Sequence, residues 1–329
     1  MERVVCREFA EPATVELSTE PTPEPGPGEV LVEVEASGVS FVDGLIAQGR
    51  YQVRPPLPYT PGSTAAGRVV AVGHGVRTPA VGDAVVALLT AFGGFASHLA
   101  LPAEAIVRVP DGVAPEIAAT SLENYCTLVF GVTNRVTVRP GEWVVVLGAG
   151  GGIGLAAVDV ARGLGARVVA VASSLEKRDA ATSAGAEVAI DYTGLKDRIR
   201  EVTGGGADVV IDPVGGPSAE SALRALGSGG RFCVLGFASG DIPRLPANIV
   251  LLRNRSIVGV DWGDWARGDQ AAARELVVDV LGRVARAELH PPQPQVLPLA
   301  DASKALQLFA ERAVTGKIAL RPAARRRKL

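Results

Sequence analysis

Five glycines directly follow a short apolar run, and of all the segments in the chain this one has the clearest chemical use. The run is Trp143 to Leu147, and the glycines are Gly148, Gly150, Gly151, Gly152 and Gly154. A nucleotide pyrophosphate has to approach backbone N–H groups closely, and a Cβ atom in the turn would keep it away. We therefore predict that this turn binds the pyrophosphate of a dinucleotide. The alternative is an ordinary tight turn.

The residues around the glycines predict the strand, helix and second strand that such a site requires. The apolar, β-branched run before the turn is typical of a buried parallel strand. From Ile153 to Leu164 apolar residues recur at intervals of three and four, and Gly165 is suited to end a helix. A second strand is predicted over Arg167 to Ala172. In this context the G-x-x-G-x-x-G spacing is a variant of the dinucleotide fingerprint.

The residues after the second strand indicate which dinucleotide is bound. An acidic side chain at that position binds the ribose hydroxyls of NAD, whereas a cation accepts the 2′-phosphate of NADP. The strand ends in Ala172-Ser173-Ser174 without an acid, and Lys177 and Arg178 follow in the next turn. This pattern favours NADP. The alternative is that both cations are solvated helix residues.

Composition excludes several classes of protein. The chain has 329 residues, 47% of them hydrophobic, and a net charge of −2, so no general attraction to nucleic acid or anionic membranes is expected. Its three cysteines lack C-x-x-C spacing, which fits a reducing compartment, and no segment is typical of a signal peptide or a membrane span. We expect a cytoplasmic protein.

The basic residues Arg325 to Lys328 are expected to form a frayed tail, and the final Arg-Lys-Leu departs from a peroxisomal address at its first position.

The order of the predicted elements indicates an α/β protein with two domains. Short strands broken by Gly and Pro are predicted at Val30 to Ala36, Gly67 to Val72, Asp83 to Leu89 and Gly94 to Leu101. After a helix from Glu116 to Val132, six strands alternate with helices and end with Ser256 to Val260. We assign residues 124–263 to a doubly wound dinucleotide-binding domain. Residues 1–123 and 264–329 are assigned to a mostly antiparallel β domain.

Four segments together resemble the zinc-free quinone oxidoreductase branch of the medium-chain dehydrogenase/reductase superfamily, the group that includes zeta-crystallin. They are residues 37–49 (SGVSFVDGLIAQG), 62–67 (GSTAAG), 148–154 (GAGGGIG) and 316–320 (GKIAL). The resemblance covers almost the whole chain. It implies a GroES-like β domain joined to a six-strand Rossmann domain.

The same resemblance implies that no catalytic metal is bound. Zinc-dependent relatives need a cysteine near Ser40 and Gly-His-Glu near Gly62, because catalytic zinc takes three Cys, His or carboxylate ligands. This chain has Ser40 and Gly62-Ser63-Thr64, and it has too few cysteines for a four-cysteine zinc lobe. The three histidines, His74, His98 and His290, are assigned structural roles.

The resemblance also assigns residues to each part of the cofactor NADPH. It implies that the pyrophosphate lies at Gly150, Gly151, Gly152 and Ile153, and the 2′-phosphate at Ser173, Lys177 and Tyr192. It implies that the nicotinamide end lies at Leu235, Gly236, Phe237, Val260, Asp261 and Trp262, with Thr127 near the carboxamide. As alternatives, Tyr192 would be an ordinary aromatic at a strand end, and Thr127 a helix hydroxyl bonded to the preceding turn.

The function expected from this resemblance is NADPH-dependent reduction of a quinone or an α,β-unsaturated carbonyl. Without zinc, reduction has to rely on substrate position and on hydrogen bonds to the oxygen that gains charge. Tyr51 matches a family tyrosine and is the candidate donor, or else an aromatic that only shapes the cleft. Ser40 is a candidate substrate contact, although the family often has asparagine there.

Two other functions stay open. One is an enoyl-thioester reductase of the same superfamily, and the other is a non-catalytic NADPH-binding protein with a structural or nucleic-acid-binding role. The near-neutral charge argues against nucleic acid. By analogy with many relatives, a homodimer is expected to pair the edge strand Ser256 to Val260 of each copy.

Overall fold

A computed structural model describes residues 1–89 and 91–323 of the chain. The basic tail Arg325 to Lys328 and the final Arg-Lys-Leu therefore lie outside the described residues. In chain order, the strands are β1 Glu2–Val5, β2 Glu16–Thr19, β3 Glu29–Val39, β4 Thr64–Val72, β5 Ala84–Leu88, β6 His98–Pro102, β7 Ile106–Arg108, β8 Trp143–Leu147, β9 Arg167–Val171, β10 Val188–Ile190, β11 Ala207–Asp212, β12 Leu226–Val234, β13 Ser256–Gly259, β14 Gln295–Pro298 and β15 Ile318–Arg321.

The helices alternate with the strands mainly in the second half of the chain. They are α1 Phe41–Ala47, α2 Pro115–Phe130, α3 Gly152–Gly163, α4 Leu175–Ser183, α5 Leu195–Thr203, α6 Pro217–Ala225, α7 Ala247–Leu251, α8 Trp262–Gly268, α9 Gln270–Ala285 and α10 Ala302–Ala310. A π-helical turn, Gly131–Arg135, extends α2. Within the described ranges, no helix combines the length and the apolar character needed to cross a bilayer.

The first structural unit is built on a mostly antiparallel sheet. It comprises Met1–Glu123 and Gln293–Leu329. Its strands run in the order β14-β15-β3-β4-β5-β7, with β6 also paired to β3. Alternate valines of β3 point into one apolar cluster of this unit, because successive side chains of a strand face opposite sides.

The second unit, Asn124–Pro292, contains a six-stranded sheet in the order β10-β9-β8-β11-β12-β13. Every pair in this sheet is parallel. The strands are apolar along their length because helices cover parallel sheets on both faces. The strand order changes direction between β8 and β11, and the carboxyl ends of strands at such a point form the crevice where α/β proteins bind ligands. This is the predicted fold class.

One domain boundary differs from the prediction. We expected the chain to return to the first domain at residue 264, whereas residues up to Pro292 belong to the second unit. A buried carboxylate explains the difference. Asp159 of α3 accepts a 2.6 Å hydrogen bond from the backbone N–H of His290, and the His290 ring Nδ1 lies 3.1 Å from its other oxygen. The segment after α9 is thereby tied to α3.

Candidate dinucleotide and substrate sites

The glycine turn between β8 and α3 is a cradle of bare backbone. Gly148 has a φ of 62°, a conformation that side chains other than glycine's rarely adopt. A Cβ atom on Gly154 would lie 2.2 Å from the carbonyl oxygen of Gly148, so only glycine allows α3 to come this close to the turn. Gly151 caps α3 without any side-chain hydrogen bond, and the amide groups of Gly152 and Ile153 begin the helix. These features fit a pyrophosphate bound at the positive end of a helix.

Two of the residues predicted to bind the 2′-phosphate contact this turn. A Cβ atom on Gly150 would lie 2.4 Å from Cβ and 2.6 Å from Cγ of Lys177, so the aliphatic part of Lys177 lies across the glycine. The hydroxyl of Tyr192 accepts a 2.9 Å hydrogen bond from the backbone N–H of Gly148. The third residue, Ser173, is exposed and lies two positions after the end of β9. The structure therefore brings Lys177 and Tyr192, from two different segments, to the predicted cofactor turn.

The edge of the sheet beside these residues carries further cations. The Arg178 guanidinium donates a hydrogen bond to the carbonyl of Ala172 at the end of β9. An acid is also present, because Asp191 follows β10, but Arg198 lies 2.8 Å from it. The backbone N–H of Thr193, with the charges of Arg198 and Arg178, lowers the pKa of Asp191. Asp191 thus stays ionised, and its negative charge is offset by the positive charge of Arg198.

Residues predicted for the nicotinamide end lie around an apolar pocket within the second unit. Thr127, Leu235 and Val260 all line it, together with mid-sheet side chains such as Ile211 and Cys233. The other predicted residues, Gly236, Phe237, Asp261 and Trp262, are not among those that line the pocket.

Asp261 and Trp262 begin helix α8. The Asp261 carboxylate accepts a 2.9 Å hydrogen bond from the N–H of Asp264 and so caps the helix. Trp262 is only 7% exposed, and its indole N–H has no hydrogen-bond partner among the described residues. The structure therefore gives Asp261 a capping role that the sequence analysis did not assign.

Asp212, at the carboxyl end of β11, was not predicted as a site residue. Its buried carboxylate accepts hydrogen bonds of 2.8 and 2.9 Å from the backbone N–H groups of Val214 and Gly215. Burial raises the pKa of Asp212, while these two N–H groups oppose the shift. The turn that it shapes lies against the cradle, because a Cβ on Gly148 would be 2.7 Å from Cγ2 of Val214. The sequence does carry a signal for this role of Asp212, because an acidic residue at the end of a strand stands directly before Pro-Val-Gly-Gly.

In the first unit, Ser40 belongs to a buried hydrogen-bonded cluster. Ser40 caps α1, and its backbone N–H and hydroxyl lie 2.8 and 3.0 Å from Oδ2 of Asp43. The other Asp43 oxygen accepts a 3.2 Å hydrogen bond from the N–H of Gly62. Asp43 therefore joins the two segments where zinc-dependent relatives place metal ligands.

Asp43 is 2% exposed, and burial is the main cause that raises its pKa to about 6. The charge of Glu123 adds to the shift, whereas the hydrogen bonds from Ser40 and the charge of Lys317 oppose it. The Lys317 ammonium lies 3.7 Å from the Glu123 carboxylate. In the sequence, Lys317 is recognisable only as part of the GKIAL segment, and its proximity to Glu123 was not predicted.

Tyr51, the predicted donor, lies half-buried in the bend after α1. Its neighbour Arg50 forms an ion pair of 2.7 Å with Glu11. Of the histidines, His98 is buried with its Nδ1 3.0 Å from the Ser97 hydroxyl, and His290 contacts Asp159 as described above. Among the residues that the structure describes, no group of three or more His, Cys, Asp or Glu side chains is placed to hold a metal ion.

Comparisons with known proteins agree with this architecture. Residues 26–111 match the alcohol dehydrogenase GroES-like domain, and residues 152–279 match the zinc-binding dehydrogenase family. Quinone oxidoreductase-like protein 2 of Rattus norvegicus is 36% identical over 96% of this chain and 91% of the rat protein.

Many solved structures are similar to this chain, and two of them illustrate a match over nearly its whole length. A probable oxidoreductase from Mycobacterium abscessus has a TM-score of 0.86 and 35% identity, and the match covers 98% of this chain and 99% of the other. The quinone oxidoreductase from Thermus thermophilus, also solved with NADPH, has a TM-score of 0.83 and 32% identity, covering 98% and 100%.

A GroES-like β unit and a doubly wound dinucleotide-binding unit in one chain define a two-domain dehydrogenase. The chain belongs to the quinone oxidoreductase branch of the medium-chain dehydrogenase/reductase superfamily. These comparisons confirm the predicted family and the predicted fold class. They also confirm that the protein is an oxidoreductase.

Proposed function

We propose that the protein is an NADPH-dependent reductase that transfers hydride to a quinone or an α,β-unsaturated carbonyl without a catalytic metal. The observation that carries the proposal is the convergence of Lys177 and Tyr192 on the glycine turn. The NADPH complex of the similar Thermus thermophilus enzyme supports the choice of cofactor.

In this proposal each part of the chain has a definite task toward the cofactor and the substrate. NADPH supplies the hydride when it is bound. The α3 amide groups bind the pyrophosphate, Lys177 and Ser173 select the 2′-phosphate, and the pocket with Thr127, Leu235 and Val260 receives the nicotinamide end. Ser40 and Tyr51 orient the substrate oxygen by hydrogen bonds, which stabilise the charge that develops there.

The residue types at the two zinc-ligand positions support the metal-free part of the proposal. Ser40 offers a hydroxyl that is already bonded to Asp43, and Gly62 offers only backbone. Neither presents the thiolate, imidazole or carboxylate that catalytic zinc takes.

The test is oxidation of NADPH by the purified protein with three kinds of acceptor: a benzoquinone, a small enone and an enoyl thioester. We expect turnover with the quinone or the enone, and faster turnover with NADPH than with NADH. Turnover with the thioester alone would replace the proposal by the enoyl-thioester alternative. Binding of NADPH without turnover of any acceptor would favour a non-catalytic role, which a gel shift at physiological salt would then probe for nucleic acid.

The assembly and location belong to the same proposal. Strand β13 is an edge of the parallel sheet, and Ile257 on it is 39% exposed. An exposed edge with apolar side chains is suited to pairing with a second copy of the chain.

The buried free cysteines Cys6, Cys126 and Cys233 are compatible with the cytoplasm.

A further inference from the structure

Strand β11 lies between β8 and β12 in the parallel sheet, so the turn that follows it separates two parts of the proposed cofactor site. The glycine turn proposed for the pyrophosphate follows β8, and residues 235–237, proposed for the nicotinamide end, follow β12. Between them lie residues 213–216, which we call the spacer turn. All of these segments belong to the second unit. The position of the spacer turn therefore determines how far apart the two ends of the cofactor site are held.

The spacer turn packs against both of its neighbours. A Cβ atom on Gly148 would lie 2.7 Å from Cγ2 of Val214, so Val214 covers the bare backbone of the glycine turn. On the other side, a Cβ atom on Gly215 would lie 2.9 Å from Cδ1 of Phe237 and 2.9 Å from the carbonyl oxygen of Asp241. The absence of a side chain at Gly215 thus lets the segment after β12 lie directly on the spacer turn.

Backbone hydrogen bonds join the spacer turn to the segment after β12 in both directions. The N–H of Ser239 donates a 2.8 Å hydrogen bond to the carbonyl of Val214. The N–H of Gly216 donates a 3.0 Å hydrogen bond to the carbonyl of Asp241. A displacement of the spacer turn would therefore displace the nicotinamide segment with it.

One buried carboxylate holds the spacer turn in its conformation. Asp212 is 1% exposed, and its Oδ1 accepts hydrogen bonds of 2.8 and 2.9 Å from the N–H groups of Val214 and Gly215. The next two residues along the turn, Gly215 and Gly216, have φ angles of 67° and 63°. An aspartate that bonds the backbone two and three residues further on stabilises such a turn, which glycine alone would leave flexible.

We infer that Asp212 is a positioning residue, which acts through the spacer turn to hold the nicotinamide end of the cofactor in register with the pyrophosphate end. The inference rests on the proposed reductase function and deepens it, because hydride transfer requires C4 of the nicotinamide to be aligned with the substrate. A misplacement of about 1 Å can cost about 100-fold in rate. Asp212 acts through Val214 and Gly215, and the carboxylate supplies hydrogen-bond acceptors rather than a proton.

Three substitutions separate this role from a contribution to stability alone. Asp212→Ala removes the acceptor of both N–H groups, whereas Asp212→Asn keeps a side-chain oxygen that can accept both bonds. Asp208→Ala is the matched control, because Asp208 lies at the amino end of the same strand and accepts a 2.8 Å hydrogen bond from the N–H of Trp143. Losing that bond should lower the free energy of unfolding without altering the cofactor site.

The first measurement is binding, which does not depend on turnover. The probe for the pyrophosphate end is 2′-phospho-ADP-ribose, which is NADPH without its nicotinamide ring. In isothermal titration, Asp212→Ala should bind this fragment as the wild-type protein does, but should bind NADPH about 10-fold more weakly, the equivalent of one or two lost hydrogen bonds. The emission spectrum of the bound dihydronicotinamide should also shift towards that of free NADPH. Asp212→Asn and Asp208→Ala should match the wild-type protein in all three respects.

The second measurement is turnover of the acceptor that the wild-type protein reduces. In Asp212→Ala, kcat should fall by about 100-fold, because the hydride donor is misaligned. The kinetic isotope effect on kcat, measured with NADPH that carries deuterium at the transferred position, should increase because hydride transfer becomes the slow step. A loss of stability alone would not change the isotope effect of the molecules that stay folded. Asp212→Asn should restore both quantities.

Several outcomes would contradict the inference. Equal weakening of NADPH and of the fragment by Asp212→Ala would overturn it, and so would an Asp212→Asn variant as impaired as Asp212→Ala. If Asp212→Ala does not fold, Gly215→Ala replaces it, because the added Cβ would displace Phe237 and the Asp241 carbonyl while both Asp212 bonds remain. Unchanged fragment affinity with weaker NADPH binding is again the expected result, and unchanged NADPH binding would overturn the inference.

Failure of the inference and failure of the proposed function give different results. A wild-type protein that binds NADPH but reduces no acceptor would overturn the reductase function, and the binding measurements would still decide whether Asp212 positions the nicotinamide end. A wild-type protein that binds no dinucleotide would overturn both.

Discussion

The contact between Lys177 and Gly150 divides the role of this lysine into packing and charge. Its Cβ and Cγ atoms cover the glycine, whereas the ammonium is the part proposed to bind the 2′-phosphate. Lys177→Met keeps the aliphatic part and removes the charge. We expect it to raise the dissociation constant of NADPH by about 10- to 100-fold, the value of one charge-assisted hydrogen bond, and to leave that of NADH unchanged.

Isothermal titration with both dinucleotides measures this difference. Lys196→Met is the matched control, because Lys196 pairs with Asp197 on α5 and is not part of the turn. Equal weakening of NADPH and NADH by Lys177→Met would mean that the lysine supports the turn only by packing.

Asp43 makes the stability of the first unit depend on pH. Its pKa rises from 3.8 to about 6 on folding, so the folded protein holds this proton more tightly than the unfolded chain. The free energy of folding that this more tightly held proton contributes is fully present below about pH 4 and is lost as pH rises through about 6. The loss is about 3 kcal/mol, from the size of the shift.

Denaturant unfolding at a series of pH values measures the effect. Other groups titrate in the same range, so the informative quantity is the difference between the wild-type protein and Asp43→Asn. The free energy of unfolding of the wild-type protein should fall relative to that of the variant between pH 4 and pH 6. A constant difference across this range would contradict the raised pKa.

At the level of elements, the close seating of α3 on the end of β8 determines the shape of the cradle. Gly154 makes this contact, since a Cβ atom there would meet the Gly148 carbonyl at 2.2 Å and Cα of Ala149 at 2.7 Å. Both obstacles are backbone atoms, which cannot turn aside as a flexible side chain does. The helix would have to move away from the turn.

We expect Gly154→Ala to destabilise the protein by about 1–3 kcal/mol, the usual cost of overpacking, and to weaken binding of NADPH and NADH alike. Gly163→Ala is the control on the same helix, because a Cβ at Gly163 meets nothing within 4 Å. That variant should be neutral or more stable by up to about 1 kcal/mol. Urea unfolding and nucleotide fluorescence measure both quantities, and similar behaviour of the two variants would show that the seating of α3 is not critical.

At the level of the whole molecule, each unit has its own apolar core, and the second unit carries the edge proposed for assembly. Ile257→Lys places a charge on that edge, where it would disfavour pairing with a second copy. We expect sedimentation velocity to give a dimer for the wild-type protein and a monomer for this variant. Val278→Lys, at an exposed position of α9, should remain dimeric. A monomeric wild-type protein, or a dimeric Ile257→Lys, would contradict pairing through β13.

Local sequence determined the elements whose signals lie within a few residues of one another. Strand β8 occupies the predicted residues Trp143–Leu147, and helix α3, Gly152–Gly163, follows the apolar spacing that predicted a helix from Ile153 to Leu164. In α4 the cap is local, because the Ser174 side chain accepts a hydrogen bond from the N–H of Lys177. The short strands β1, β2 and β7 were not predicted, since their few residues carry charges and owe their pairing to distant partners.

The family and the cofactor turn followed from the order of the amino acids, because glycine at a strand end and the lack of metal-ligand residue types are properties of the chain itself. Only the tertiary structure decided that the Tyr192 hydroxyl meets Gly148, that Asp159 holds His290 across 131 positions of the chain, and that Glu123 and Lys317 act on Asp43. The physical reason is that burial and electrostatic environment depend on which segments meet in space. An aspartate at the surface and an aspartate in the interior are the same residue type in the sequence, but their charge, pKa and function differ.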